Sequence, residues 1–242
     1  MKRIQSHITR KQQEFRSHAF FERLAEDSRS AEHILVFAKE LSFWVMTFQD
    51  ILRINESLVI DPALKRIAHH HRAEDSGHDK WFLSDLMVIE GAIPDFRWLF
   101  SNDHASTRIG SYALVSEVYR AKTDYERIVL LLTLESAGHA FFEKIVSYLE
   151  HRELSGLLQY FARKHLDVEK QHELFEEQLT KTLFDTVLVH PTREACIELV
   201  DRIYSVFDSI FVGIDMAIES DSIKNTNSSK RVGNLRNLDI AC

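Results

Sequence analysis

An all-α bundle in a single domain is what this sequence predicts, on three observations. The chain of 242 residues holds only seven glycines and three prolines, too few to punctuate a strand-rich fold. Its apolar residues recur at three- and four-residue spacing, without the alternation that a half-buried strand requires. No Pro/Gly/Ser-rich linker divides the chain before a polar C-terminal stretch, so one domain over residues 1–220 and a flexible tail over 221–242 are expected.

Composition also narrows the function. A formal charge of −7 with both signs interspersed leaves no basic stripe for nucleic acid. No run of about 18 apolar residues is present to span a bilayer. The N-terminal MKRIQSHITRKQQEF lacks the apolar core of a secretory signal, so a cytoplasmic protein without a membrane partner is expected. The two cysteines, Cys196 and Cys242, stand too far apart for a metal or redox motif.

In order, Phe15, Ala19, Phe20 and Leu24 mark a helix over 11–27, ended by Asp27-Ser28-Arg29-Ser30, with Ser30 available to cap the next. Residues 31–58 are apolar on most sides, as in a helix crossing the middle of a bundle. Trp44, Met46 and Phe48 there suit either core packing or the wall of a cavity. Asp61-Pro62 is a helix start, and 63–90 reads as one continuous helix. On it His71, either Glu74 or Asp75, and His78 fall at i, i+3 or i+4, and i+7, along one stripe. Of the run His69-His70-His71, only His71 lies on that stripe. Gly77, beside His78, hints at a close helix approach.

Residues 91–106 read as the longest loop, with Trp98 and Phe100 expected either to tuck against the core or to cap a cavity, and no role for His104. Short and long helices follow over 107–122 and 124–151. The long one is apolar at its centre, LLLTLESAG, and Glu135 within it is expected to be buried. A buried carboxylate costs several kcal/mol unless it is protonated, hydrogen-bonded or coordinated, so Glu135 is a candidate ligand. His139, one turn on, either joins Glu135 as a ligand or, as is more usual, supports a ligand by hydrogen bonding or packs as a core histidine. The last long helix, 191–218, carries Phe207, Ile210, Phe211 and Ile214 as its apolar stripe.

The chemistry centres on FARKHLDVEKQHELFEE, residues 161–177, read as part of a helix reaching about 183. At about 100° per residue, Glu169 stands some 40° and His172 about −20° from His165. All three share a stripe. Seven residues rise about 10.5 Å, long for two histidines on one ion but suited to two ions roughly 3.5–4 Å apart with Glu169 between. Together with His71, Glu74 or Asp75, His78 and Glu135, the chain offers nitrogen and oxygen donors in the number a di-iron or di-manganese carboxylate site uses. Trp44 and Trp81 are expected beside it as pocket residues.

Asp75-Ser-Gly-His78, then a lone Glu135 some 55 residues on, then His165-x3-Glu169-x2-His172 about 30 residues later is a pattern that resembles the haem-oxygenase-like di-iron oxidases over residues 30–215. The resemblance implies a bundle of seven helices, shared with haem oxygenase, the TenA-type thiaminases and the PqqC oxidase. It implies two metal ions, iron foremost and manganese the alternative, with O2 as co-substrate, a small organic substrate and an electron donor of unassigned kind. A homodimer is the assembly to test. Two departures stand out: Glu169 occupies an Asp position, and the E-x6-H spacing lands on His71. The alternative implied by the same likeness is a metal-free TenA/PqqC-type enzyme or small-molecule-binding protein using the same pocket.

Overall fold

The computed structural model describes residues 1–26, 35, 37–154, 156, 158–168 and 186–236. Its helices are α1 Lys2–Arg16, α2 Ala19–Glu26, α3 Phe37–Glu40, α4 Ser42–Leu58, α5 Pro62–Glu74, α6 His78–Glu90, α7 Phe96–Leu99, α8 Ala105–Arg120, α9 Asp124–His151 and α10 His190–Arg236. Residues 163–168 form a further helical turn, and no strand occurs among the described residues.

α9 is the axis of the bundle. Apolar side chains cover most of its circumference, and Ile128, Leu130, Ala137, Phe141, Ile145 and Leu149 are among those it buries. α1, α5, α8 and α10 pack around it, while α4 joins α5 to α8. Its start is fixed locally: the Thr123 hydroxyl accepts the Glu126 amide at 3.2 Å, and the Glu126 carboxylate accepts the Lys122 amide at 3.0 Å, a reciprocal cap. Asp124 accepts the Asp61 amide at 2.7 Å, tying this start to the head of α5. There Asp61 accepts from Ala63 and Leu64 at 2.8 and 3.0 Å, with Pro62 at the first helical position, as the sequence predicts. Gly110 of α8 lets α10 come close, since a methyl group there would overlap Ile210. Phe15, Phe20, Phe21 and Phe211 fill the far end with tilted and edge-to-face contacts, such as Phe15 to Phe21 at 5.4 Å and 86°.

Several expected helices are divided. The 11–27 helix breaks at Ser17–His18, where His18 Nδ1 accepts the Phe20 amide at 3.1 Å and caps α2. The 31–58 helix is interrupted at Leu41, and Met46 faces outward. The 63–90 helix is two, separated at Asp75–Gly77. The 91–106 loop contains α7, capped by Asp95 onto the Trp98 amide at 2.8 Å. His104 has a structural task after all: its Nδ1 lies 2.8 Å from the buried Glu40 carboxylate, and Trp98 stacks on its ring at 3.7 Å. This anchors the loop to α3. α10 continues through 221–236, where composition alone reads as a tail. No helix among the described residues is long and apolar enough to cross a membrane.

Candidate metal centre

The break between α5 and α6 creates the site. Gly77 takes φ +99°, a left-handed conformation costly for residues with a Cβ. α6 therefore restarts at His78 on a new axis, and the continuous stripe expected from His71 to His78 does not form. Instead the turn puts the Asp75 side chain between the two imidazoles. His71 Nε2 lies 3.2 Å from one Asp75 oxygen and His78 Nδ1 lies 3.3 Å from the other. Gln49 of α4 donates to the Asp75 carbonyl at 2.9 Å and pins the turn. From α9, Glu135 reaches to 3.6 Å from His71 Nε2.

His71, Asp75 and Glu135 thus offer one ligand atom each, all within 4.8 Å of one another. Donors bonded to one ion at about 2.0–2.2 Å sit at comparable mutual separations, so the donor set fits a cation. His71 and Asp75 are buried, while the Glu135 side chain keeps 12 % exposure. It borders a cavity of about 50 Å³ that Asp75, His78 and His165 also line. Glu135 is therefore mostly buried, at the edge of a void, close to the burial expected from the sequence.

His165 enters from the helical turn at 163–168. Its Nδ1 stands 2.6 Å from the Tyr160 carbonyl, which can only accept, so that nitrogen carries the proton and Nε2 is the nitrogen left facing inward to serve a ligand. Nε2 lies 3.2 Å from His78 Nδ1. Phe142 meets the His165 ring edge-on at 4.4 Å, and Trp81 stacks on His78 at 4.8 Å. Behind Tyr160, the buried Asp85 of α6 accepts the Gln159 and Phe161 amides at 2.7 and 3.0 Å. That clamp fixes the turn that presents the Tyr160 carbonyl. A histidine whose outer N–H is held by a carbonyl is the usual state of a metal-ligating imidazole.

The buried Asp75 and Asp85 carboxyls are held differently. Burial raises that of Asp75, but hydrogen bonds from His71 and His78 outweigh it, leaving it well below the usual carboxylate range. Burial raises that of Asp85 above its ordinary value, and the Gln159 and Phe161 amides offset only part of that.

Of the residues expected from sequence, His71, Asp75, His78, Glu135 and His165 converge. Glu74 stands apart, 3.3 Å from His70. His139 lies 3.4 Å from Glu143, which Arg16 holds at 2.6 Å, and it does not border the cavity. Trp44 lines the cavity and Trp81 backs His78. Glu169 and His172 lie outside the described residues. Gln49, Tyr160, Phe142 and Asp85 escaped sequence reasoning. Gln49 and Asp85 carried a signal, as polar residues one turn from the apolar Val45 and Leu52 and beside Phe82 and Leu86, respectively, on their helices, whereas the carbonyl of Tyr160 carried none. No protein-family model and no curated protein sequence matches the chain, so the functional reading rests on these residues.

Proposed function

We propose that the chain is an oxygen-activating metalloprotein of the haem-oxygenase-like di-iron kind, acting on a small organic substrate. The observation that carries this reading is the convergence of His71, Asp75 and Glu135, with His78 and His165 alongside, at a cavity inside an apolar bundle. His71, Asp75 and Glu135 would hold one ion. His78 and His165 would serve another; Glu169 and His172, the further ligands that the resemblance implies, lie outside the described residues. A pair of ferrous ions bound there would supply the electrons that O2 activation needs. The chain's own part is orientation and shielding. Tyr160 and Asp85 set the His165 ring, Gln49 fixes the Asp75 turn, and Trp44, Phe48 and Phe142 restrict water.

A second reading draws on one observation: the Asp75 carboxylate is already satisfied by His71 and His78, as in a metal-free pocket that binds a polar ligand directly. A cysteine-dependent thiaminase is disfavoured, because the Cys196 thiol is buried and pushed up to about 12 by that burial and by Glu126, and it lines neither this cavity nor its neighbour. Anaerobic Fe(II) titration separates the readings. About two equivalents are expected for a dinuclear site; no uptake of iron or manganese under any loading condition would leave the metal-free pocket.

A further inference from the structure

α9 carries a glycine that helix propensity argues against. Gly138 sits at the middle of the 28-residue helix Asp124–His151, where glycine costs about 1 kcal/mol relative to alanine. Its backbone does not require it, since the positive-φ glycines of the described chain are Gly77 and Gly91. Close packing does not require it either, because a Cβ at Gly138 would meet nothing within 4 Å. What the missing side chain leaves is space.

That space borders two cavities. Gly138 borders the polar cavity of about 50 Å³ that reaches Asp75, His78, Glu135 and His165. It also borders a second cavity, of about 40 Å³, walled by Leu41, Phe141, Phe207, Ile210 and Phe211. Trp44, Phe142 and Tyr160 line both, so the two are neighbours across the Gly138 face of α9. No charged residue among those described lines the second cavity, and of the side chains that wall it Trp44 and Tyr160 alone carry a polar atom. A water there would find few of the two to four polar partners it needs, and apolar cavities accept small apolar guests such as xenon. A single water needs about 10–15 Å³ of such space, so a volume of about 40 Å³ admits a diatomic molecule.

We infer that the apolar cavity holds dioxygen and that Gly138 is the opening through which it passes to the polar cavity. The choice of dioxygen among small apolar guests rests on the oxidase reading above; the cavity and its opening do not. In this arrangement O2 partitions from water into the apolar cavity, and the absent side chain at position 138 leaves the way to His165 and Glu135 clear.

The test uses dissolved O2 itself as probe, on the metal-free protein, so that it stands whether or not iron binds. Methyl-labelled protein is compared under O2 and N2. Paramagnetic broadening of the Leu41 and Ile210 methyls should exceed that of Ile51 and Ile128, which are equally buried but line neither cavity. Gly138→Val, whose side chain would fill the space beside both cavities, should cut the excess broadening several-fold; Gly138→Ala, which has room for its methyl, should cut it less and keeps the comparison valid should valine disturb the helix. In iron-loaded protein, Gly138→Val should raise the KM for O2 several-fold without changing iron stoichiometry. Leu41 and Ile210 broadened no more than the reference methyls would overturn the inference. So would broadening and KM that ignore both substitutions. A wild type that takes up no iron but shows the broadening would sink the oxidase reading and leave the gas cavity standing.

Discussion

Asp75 meets an imidazole with each of its oxygens, at 3.2 Å from His71 and 3.3 Å from His78, and its ionisation is linked to stability. Burial raises its carboxyl, but the two histidine hydrogen bonds lower it further than burial lifts it. A depressed folded value means that the contribution is full above the unfolded value of about 3.9 and is lost as pH falls through the folded one. Asp75→Asn in metal-free protein should therefore flatten the acid limb of the stability profile below about pH 4. At pH 7 it should cost on the order of 3 kcal/mol, as when a buried pair loses one partner. Denaturant titration from pH 3 to 7 checks both. Asp85 runs the other way: its raised value gives a contribution present at low pH and lost as pH rises through that value. Asp85→Asn places an amide N–H against the Gln159 or Phe161 N–H, loosens the turn, and should weaken iron binding about 10- to 100-fold through His165. Iron affinity unchanged in that variant would sink the positioning role. At this scale His71 was singled out from His69 and His70 by its seven-residue spacing to His78 on one helix, although the helix is broken between them and it is the Asp75 contact that brings His71 to the nest. Asp75 was not separable from Glu74, because the choice depends on a turn that spacing on an unbroken helix cannot anticipate.

The turn in question is an element-scale device. α9 and the head of α5 were legible because their start signals lie in adjacent residues, Thr123 with Glu126 and Asp61 with Pro62. The breaks at Ser17–His18, Leu41 and Asp75–Gly77 were not, since the apolar period runs on across each of them. At Gly77 the break is enforced by φ +99°, which alanine would adopt only at a cost of about 1–2 kcal/mol. A Cβ there would meet nothing within 4 Å, so backbone strain is the whole effect. Gly77→Ala should lower stability by about that amount. It should also favour the continuous 63–90 helix that the pattern suggests, drawing Asp75 away from His78. Thermal denaturation and iron titration of the same variant report the two consequences. Full iron uptake at a lowered Tm would mean that the turn matters for folding alone.

Across the whole molecule, folding energy and chemistry are supplied by different parts. The core runs from Ile4 and Phe15 through Phe141 and Leu149 to Phe207 and Ile214, and apolar burial of that extent is the dominant stabilising term. The nest of His71, Asp75, Glu135, His78 and His165 is a polar inclusion within it, so cation binding should add stability to a bundle already folded. With free Fe(II) at about 100 times its Kd, a single site contributes about 2.7 kcal/mol. For a domain of this size each kcal/mol moves Tm by roughly 2–4 °C, which gives an anaerobic rise of about 5–10 °C. The same rise should vanish in Asp75→Asn, which removes the carboxylate lying between the two imidazoles. It should survive in Glu74→Gln, because that carboxylate faces His70 and stands outside the nest. Equal rises in all three proteins would place the iron elsewhere on a surface with a formal charge of −7. A rise lost only in Glu74→Gln would instead show that the α5 register differs from the one that brings Asp75 between His71 and His78.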